Sequence, residues 1–391
     1  MPWSTPDLMT VREEFIRFVV SGRHQVIEAC IVFGVSEKTG HKWLKRYREG
    51  GVEGLADRSH APHQPAHQVP RELRESIIHL RSLHPSWGPR KLRSNLERRN
   101  PDTPWPAPST IGELLRRECM VARRRRRTPR GRALDSTLTP GNSPNHVWST
   151  DFKGEFRLSR GDYCYPLTIQ DHKSRFLIEC RALGSTSGDA VKIVFRQIFE
   201  KFGLPEVMRS DNGVPFAHPL SLARLSALSV WWIRLGIRPE RIEPGHPQQN
   251  GRHERMHRTL KAEATRPPSQ TLIQQQKRFD SFRREYNEER PHEALGQAPP
   301  AGCCRSSKRS FPSQLPEMIY PAHYEVRRVE KTGMLHYKGH HFWLSKTLCG
   351  EEIGLEEAEY ELLTVNFGAL SLGTYHMPSR TFIAECTWRD E

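Results

Sequence analysis

Cysteine is sparse and scattered in this 391-residue chain, and its placement excludes the common cysteine-dependent architectures. No two cysteines form a Cys-x-x-Cys pair, and no spacing of cysteine and histidine matches a zinc module. We therefore predict reduced, mostly buried thiols rather than a disulfide framework. The eight cysteines are Cys30, Cys119, Cys164, Cys180, Cys303, Cys304, Cys349 and Cys386.

Long apolar runs and two familiar catalytic patterns are also missing. No stretch approaches the roughly 20 apolar residues that a membrane-spanning helix needs, and the N-terminus carries no apolar signal stretch. We therefore expect a cytoplasmic protein. The phosphate loop Gly-x-x-x-x-Gly-Lys-Ser/Thr is absent, as is a convincing Ser/His/Asp or Cys/His arrangement. Any catalysis has to use other groups.

Positive charge is abundant and unevenly spread. The net charge is +15, which suits a polyanionic partner, and nucleic acid is the commonest one. Residues 1–143 hold 26 Lys/Arg against 15 Asp/Glu, so the N-terminal third carries most of the excess. That third is where we first expect DNA to bind, although general solubility is the plainer explanation.

Residues 8–50 have the pattern of three helices joined by short turns. Gly34 ends the second helix, and Ser36 can cap the third, which turns Trp43 toward a core. Helix, glycine-containing turn and basic helix is the order of a helix-turn-helix unit, although a plain three-helix bundle shares it. The basic residues on the outer side of the third helix are Lys38, His41, Lys42, Lys45 and Arg46.

A second helical unit follows a proline-containing linker. Helices are expected at 71–83, 89–99 and 109–119, and the unit resembles a second helix-turn-helix. Five consecutive arginines come next. A charge run is usually a solvated segment, but this one joins a basic domain to the next domain, so we favour phosphate contact. These arginines are Arg123, Arg124, Arg125, Arg126 and Arg127.

From about residue 145 the pattern changes to alternating strands and helices. We expect strands at 146–158, 163–171, 174–182, 206–210 and 237–242, with helices at 188–202, 219–234, 249–264 and 270–289. This order describes an α/β domain with a mixed sheet. The last 70 residues show short strands punctuated by glycines, which predict a small β-barrel or sandwich.

Three acidic residues occupy positions suited to chemistry. Asp151 lies on the polar face of the first strand, and Asp211 follows a short apolar strand, where α/β sheets place ligands. Glu254 lies on a helix, and the residues three, four and seven positions later are His257, Arg258 and Lys261. We expect those cations to share its face and contact a nucleic-acid backbone, although a lone acid is usually a solvated surface residue.

Three carboxylates from separate elements can hold two hard divalent cations. Mg²⁺ prefers oxygen ligands, and two such ions about 3.5–4 Å apart can stabilise the attacking and leaving oxygens of an in-line displacement. Water or a DNA 3′-hydroxyl then attacks, so no protein nucleophile is required.

The acidic residues lie in motifs that resemble a known family. Trp148-Ser-Thr-Asp151-Phe-Lys-Gly, Ser210-Asp-Asn-Gly213 and Gly245-His-Pro-Gln-Gln-Asn-Gly-Arg-His-Glu254-Arg resemble the catalytic core of bacterial insertion-sequence transposases of the retroviral-integrase superfamily. Tyr286-Asn-Glu-Glu-Arg-Pro-His-Glu-Ala-Leu295 resembles the segment that usually follows that core. The resemblance spans roughly residues 10–300.

The resemblance implies a fold, an activity and its partners. It implies an RNase-H-like core with a mixed five-stranded sheet between all-α helix-turn-helix domains and a small barrel-like β domain. It implies that Asp151, Asp211 and Glu254 bind two Mg²⁺ ions, with Mn²⁺ able to substitute. The reaction would be cleavage at the element's terminal repeats and joining of the ends to target DNA. The partner would be double-stranded DNA, bound by a homodimer or larger oligomer in the bacterial nucleoid.

Some alternatives remain open. The 42 residues between Asp211 and Glu254 exceed the family's common spacing, and we place the surplus in 217–232. The competing acids are Glu155, Asp171, Glu243 and Glu263, of which we interpret Asp171 as structural. A DNA-binding protein without catalysis and a nuclease without a joining step are the other functional hypotheses. The intact acid triad and the paired helical units favour the transposase over both.

These expectations divide the chain as follows: a helix-turn-helix domain at 1–58, a linker at 59–70, a second helical domain at 71–122, a basic linker at 123–143, the catalytic core at 144–300, a linker at 301–321 and a small β domain at 322–391.

Overall fold

The computed structural model describes residues 7–57, 69–121, 138–358 and 361–389. By its internal contacts the chain forms two compact units, Met1–Pro70 and Arg71–Glu391. Within the described ranges, no helix is both long enough and apolar enough to cross a membrane. The arginines predicted to contact phosphate, Arg123–Arg127, lie outside these ranges. The finer domain boundaries stay predictions.

The first unit contains the three predicted helices: α1 (Leu8–Val20), α2 (Val26–Val32) and α3 (Glu37–Gly50). As predicted, Ser36 caps α3, because its hydroxyl accepts a hydrogen bond from the Thr39 N–H at 3.3 Å. A 3₁₀ turn closes the unit against this helix. The buried core consists of Phe15, Ile16, Ala29, Cys30, Trp43, Leu44 and Leu55.

The second unit begins with α4 (Arg71–Leu83), α5 (Pro89–Arg99) and α6 (Pro108–Arg117), close to the predicted positions. Proline stands at the first turn of both α5 and α6, where its missing N–H leaves no hydrogen bond unmade. Apolar side chains of the three helices are fully buried: Ile77, Leu80, Leu92, Ile111 and Leu115.

A mixed sheet forms the centre of the second unit. Its elements are β1 (Val147–Phe152), β2 (Phe156–Arg157), β3 (Tyr163–Asp171), β4 (Leu177–Leu183), α7 (Gly188–Phe202), β5 (Val207–Ser210), α8 (Ala227–Arg234), β6 (Arg238–Arg241), α9 (Gly251–Glu263) and α10 (Leu272–Arg284). The strand order is β4-β3-β1-β5-β6, with β3 antiparallel to β1 and β4, and β5 parallel to β1 and β6. Five strands lie where predicted, but the first, expected to run to residue 158, ends at Phe152, and Phe156–Arg157 form the separate strand β2 beside β3.

Two helix boundaries differ from the prediction, for local reasons. The helix expected at 219–234 begins only at Ala227, because Ser226 is its cap and accepts a hydrogen bond from the Ser229 N–H at 3.2 Å. The helix expected at 270–289 ends at Arg284, and Glu285–Glu289 continue it as a π-helical turn. Both apolar patterns continue past the change in backbone geometry, so the pattern alone could not reveal it.

The C-terminal region consists of short strands, as predicted, but it is not a barrel. Its elements are β7 (Glu325–Arg328), β8 (Met334–Tyr337), β9 (His340–Trp343), β10 (Glu352–Ala358), β11 (Leu362–Phe367), β12 (Leu370–His376), β13 (Thr381–Ile383) and β14 (Thr387–Trp388). The main sheet runs β13-β12-β11-β10-β7, with β14 also on β12, while β8 and β9 form a separate hairpin. In the described residues β7 and β13 do not pair, so the sheet stays open and the barrel prediction was wrong.

The C-terminal sheet packs against α8 of the mixed-sheet region in the same unit. Val230 and Ile233 of α8 belong to one buried cluster with Leu355, Leu363 and other residues of the C-terminal strands. An ion pair of 2.8 Å joins Arg234 to Glu351 beside that cluster. The C-terminal strands therefore share a hydrophobic core with α8.

Gly54 provides a test of the first unit. A Cβ at Gly54 would fall well inside van der Waals contact with the Arg46 carbonyl oxygen of α3, whereas a Cβ at Gly50 would meet nothing within 4 Å. We expect Gly54→Ala to destabilise this unit by about 1–3 kcal/mol, because backbone atoms have to move. Hydrogen exchange measured over peptides of residues 7–57 should rise in Gly54→Ala and stay unchanged in Gly50→Ala. Equal exchange in both variants would contradict this packing.

Candidate active site

Asp151 and Asp211 are brought side by side by the parallel pairing of β1 with β5. The pairs are Val147 with Val207 through Ser149 with Arg209, and the same register continued two residues further sets Asp211 beside Asp151. Asp211 directly follows β5, and its Oδ1 accepts a hydrogen bond from the Gly213 N–H at 3.1 Å. This local turn holds the carboxylate at the carboxyl end of the sheet.

Glu254 reaches the same region from the first turn of α9. The electrostatics show the proximity of the three acids. Burial and, after it, the negative charges of Asp211 and Glu254 raise the pKa of Asp151 to about 7, against the opposing effects of the Phe152 N–H and Lys153. Burial also raises the pKa of Asp211, against the hydrogen bond from Gly213. The structure therefore brings the three predicted acids into one electrostatic site.

The donor set fits a hard divalent cation. Within the described residues, neither Asp211 nor Glu254 forms an ion pair, and His257 is the only Lys, Arg or His side chain within 4 Å of the Asp151 carboxylate. Carboxylates that approach one another without a neutralising side chain repel, and a divalent cation bound by their oxygens removes that repulsion. The oxygen ligands that Mg²⁺ or Mn²⁺ prefers are therefore present.

Two buried histidines of α9 lie directly behind the acids. His253 is fully buried and His257 is nearly so, and their rings meet edge to face at 4.6 Å between centroids. Both rings contact the Thr168 hydroxyl of β3 through Nε2, each at 2.7 Å. Burial lowers the pKa of His253 to about 3 and that of His257 well below the usual range, so both are neutral at neutral pH.

The Thr168 hydroxyl determines which ring nitrogens carry protons. It has one proton to donate, and its third partner, the Asp151 backbone carbonyl at 3.0 Å, can only accept. All three contacts are hydrogen bonds only if Thr168 donates to that carbonyl and accepts from both Nε2–H groups. Nδ1 of each neutral ring is then an acceptor.

This assignment separates the roles of the two histidines. His253 Nδ1 accepts from the Ser149 hydroxyl at 2.8 Å, so both of its nitrogens are used. His257 Nδ1 instead faces Asp151 Oδ2 at 3.7 Å, with an unshared lone pair. Asp151, His253 and His257 are close enough in space to surround an ion, with ligand atoms within 4.8 Å. The hydrogen bonds nonetheless leave His253 no lone pair to offer, so only His257 could assist Asp151.

The placement of His257 corrects one expectation from the sequence. His257 was grouped with Arg258 and Lys261 as a cation on an exposed face, but it is buried and neutral, whereas Arg258 and Lys261 are exposed. The sequence reasoning also missed His253 and Thr168. The signal for His253 was its i, i+4 spacing from His257. Thr168 lies opposite Asp151 through the pairing of β1 with β3.

Three of the four competing acids have other partners. Asp171 is buried, and its carboxylate accepts hydrogen bonds from the N–H groups of Asn145 at 2.8 Å and Ser174 at 2.6 Å. Glu263 pairs with Arg290 at 2.8 Å, and exposed Glu243 lies 3.6 Å from His246. Asp171 therefore holds the turn after β3, as its sequence position indicated.

The predicted DNA-binding residues of α3 lie on one side of the first unit. Lys38, Lys42 and Lys45 are exposed, and Lys45 has Glu49 within 3.9 Å. Lys42 and Arg46 each lie 4.9 Å from the centre of the Trp43 ring. These cation–π contacts hold two positive charges against the edge of the core without neutralising them.

The pKa of Asp151 leads to a test of metal-free stability. Because its folded-state pKa, about 7, exceeds the ordinary value of 3.8, the free energy of unfolding falls as the pH rises through this interval. In EDTA at pH 8, Asp151→Asn should therefore be more stable than wild type by roughly 2–4 kcal/mol, and the difference should vanish near pH 4. Added Mg²⁺ should stabilise wild type but not the variant.

Chemical denaturation measures these effects, with exposed Asp162→Asn as the matched control that should change nothing. A less stable Asp151→Asn at pH 8 would show that the carboxylate is not electrostatically strained.

The Thr168 network gives a second test. Thr168→Val leaves two buried Nε2–H groups without an acceptor, so we expect a loss of about 1–3 kcal/mol. Thr168→Ser keeps the hydroxyl and should lose much less. The urea midpoints of the two variants make the comparison, and equal midpoints would argue that the hydroxyl is not the shared acceptor.

Matches to protein families cover all three acids. Residues 141–247 and 235–300 each match an integrase core domain family, residues 11–63 match a helix-turn-helix domain, and residues 39–115 match a homeodomain-like domain. Among solved structures, the catalytic core of HTLV-2 integrase is 16% identical, with a TM-score of 0.33 over 42% of this chain and 98% of that one. A chain of a simian T-cell lymphotropic virus intasome is 15% identical, with a TM-score of 0.37 over 76% of this chain and 92% of that one.

Similar sequences come from mobile elements and retroviruses. An insertion element IS476 protein of Xanthomonas euvesicatoria is 29% identical over 67% of this chain and 72% of its own length. An insertion element IS407 protein of Burkholderia multivorans is 29% identical over 48% of this chain and 65% of its own length. The Gag-Pol polyprotein of baboon endogenous virus is 29% identical over 54% of this chain, which spans 12% of that polyprotein. The integrase-core matches and the insertion-element relatives support an insertion-sequence transposase of the retroviral-integrase superfamily.

Proposed function

We propose that this chain catalyses metal-dependent DNA strand cleavage and strand transfer at the terminal repeats of an insertion sequence. One observation carries the proposal. Asp151, Asp211 and Glu254 come from three separate elements into one site, where burial, together with the charges of Asp211 and Glu254, raises the pKa of Asp151 to about 7. Such a site is unfavourable unless cations occupy it, because burial and like charge both oppose the ionisation of Asp151.

The three carboxylates would hold two divalent ions, Mg²⁺ by default. When bound, the ions stabilise negative charge on the attacking and leaving oxygens of a phosphodiester. In cleavage, a water oxygen bonds to phosphorus and the P–O3′ bond breaks, which frees the 3′-hydroxyl of the element. In joining, that 3′-hydroxyl oxygen bonds to a target phosphorus, the target P–O3′ bond breaks, and the proton passes to solvent. No residue of the chain becomes covalently attached.

The protein positions Asp151 for this chemistry from behind. Thr168 donates to the Asp151 backbone carbonyl, and His257 Nδ1 faces the Asp151 carboxylate at 3.7 Å. The Arg209–Glu240 ion pair, 2.7 Å long and buried, joins β5 to β6 two residues before Asp211. Both acids therefore extend from backbone that is held by buried hydrogen bonds or ion pairs, as a preorganised site requires.

Recognition of the DNA ends falls to the helical domains in this proposal. The exposed cations of α3, Lys38, Lys42 and Lys45, together with Arg46, present a basic helix of the kind that enters a major groove. An enzyme that joins two ends of one element has to hold both at once, so we propose a dimer or larger assembly on DNA.

The acid triad also argues against one of the two competing hypotheses. A DNA-binding protein without catalysis would gain nothing from three mutually repelling carboxylates, which reduce its stability. A nuclease without joining would share the acids, so only the reaction products can separate it from a transposase.

A strand-transfer assay tests the proposal. It uses purified protein, DNA ends that flank its own gene, a target plasmid and Mg²⁺. We expect Asp211→Asn to lower cleavage and joining by more than about 100-fold, because even outer-shell partners of metal ligands cost 10–100-fold. Its affinity for the DNA ends should be unchanged or higher, since a negative charge is removed.

Asp162→Asn is the matched control for Asp211→Asn, since Asp162 is an exposed acid of the same core outside the site. Cleavage without joining by wild type would identify a nuclease. Full activity of Asp211→Asn would refute the site assignment.

A further inference from the structure

A strongly basic cavity is lined by α9, the helix that also carries Glu254. Its volume is about 840 Å³, and its walls come from α9, the start of α5, the end of β3 and the segment after α10. Six basic side chains line it: Lys91, Arg175, Arg252, Arg255, Arg258 and Arg290. Of these, only Arg258 was expected from the sequence to contact DNA.

The acidic side chains of the cavity form an ion pair with only one of these six cations, among the described residues. Glu263 is paired with Arg290 at 2.8 Å, and Glu293 with Arg90 at 3.1 Å. The other five cations of the cavity form no ion pair with any described residue. The cavity therefore holds a large uncompensated positive charge.

Burial and mutual repulsion lower the pKa values of two of these cations. Burial and, after it, the charge of Arg290 lower the pKa of Lys91 to about 8. Burial and then the charges of Arg252 and Arg255 lower the pKa of Arg175 to about 10, and its buried Nη1 has no hydrogen-bond partner. A cluster that weakens its own charges in this way gains most from an anion that binds among them.

The second helical domain builds one wall of the cavity. Ser86 hydrogen-bonds to Glu263 of α9, and the His84 Nδ1 atom lies 2.8 Å from Glu285 Oε1. Asn95 Nδ2 of α5 donates to the Glu289 carbonyl at 3.2 Å. These contacts fix Lys91 of α5 opposite the arginines of α9, so the cationic site exists only where the two portions meet.

We propose that this cavity binds the phosphodiester backbone of the DNA strand that enters the active site. Arg255 and Arg258 lie one and four residues after Glu254 on α9, so a strand held here continues toward the three acids. Guanidinium groups suit phosphate oxygens, and the volume accommodates more than one phosphate group. The inference rests on the proposed function for the identity of the anion, but not for the existence of the site.

Two charge-changing variants of the full-length protein test the cavity. Lys91→Gln/Arg255→Gln removes one cation from each wall, and Lys91→Arg/Arg255→Lys keeps both charges as the matched control. We expect the Gln variant to bind end DNA about 10-fold more weakly, with a slope of log affinity against log salt reduced by about two. The charge-preserving variant should keep the wild-type slope.

Two further measurements make the result decisive. Thermal unfolding without DNA should show the Gln variant at least as stable as wild type, because repulsion is relieved, which separates lost binding from lost folding. Binding is measured in EDTA, so the outcome does not depend on cleavage or joining. If the Gln variant keeps the wild-type salt slope and wild type joins DNA ends, the cavity inference is wrong and the proposed function stands. If the Gln variant has a reduced slope but wild type never joins DNA ends, the cavity inference stands and the proposed function is wrong.

Sodium tripolyphosphate distinguishes DNA from a small anion. If it raises the unfolding temperature of wild type but not of the Gln variant, while the DNA salt slope is unchanged between them, the cavity is a free-phosphate site and the DNA assignment is wrong. Loss of salt slope in the Gln variant supports the DNA assignment whether or not tripolyphosphate binds.

Discussion

The parallel pairing of β1 with β5 is the constraint on which the rest of the site depends. It sets Asp151 and Asp211 at one level of the sheet, where burial and like charge oppose ionisation. The surrounding structure resists that repulsion with buried contacts: the Arg209–Glu240 pair on the β5 side, and the Thr168 and His253 hydrogen bonds on the β3 side. The stability lost in the carboxylates is thus offset by neighbours that do not themselves take part in the chemistry.

Much of this arrangement was predictable because it follows from local patterns. Strand alternation set Asp151 on a polar face, the Asn-Gly turn located Asp211 after a strand, and the helical pattern around Glu254 was confirmed. The roles of these residues as metal ligands remain proposals. Their convergence could be expected from the family resemblance, but not from the pattern alone, because strand order is a property of distant pairings.

The errors arose where the outcome depends on distant partners. Strand positions in the C-terminal region were close, but whether β7 pairs with β13 depends on edges 50 residues apart in the chain, and the sheet stays open. Likewise, His257 has the sequence spacing of a surface cation, and only the approach of β3 to α9 buries it against Thr168. Burial then decides its charge, because desolvation lowers the pKa of His257 and the neighbouring His253 and Lys153 lower it further.

Two faces of α9 serve the two proposed sites: one faces the carboxylates, and the other carries arginines of the basic cavity. Its inner face brings neutral histidines to the carboxylates, where a positive charge would compete with metal ions for Asp151. Its outer face keeps Arg255 and Arg258 exposed and unpaired, where a neutral residue would hold no phosphate. A single helix can meet both needs because residues four apart share a face while their neighbours point elsewhere. The neutral histidines and the charged arginines lie on different faces of α9. Metal cations and DNA phosphates would therefore bind within one helical turn of each other, and the protein's own side chains would neutralise neither.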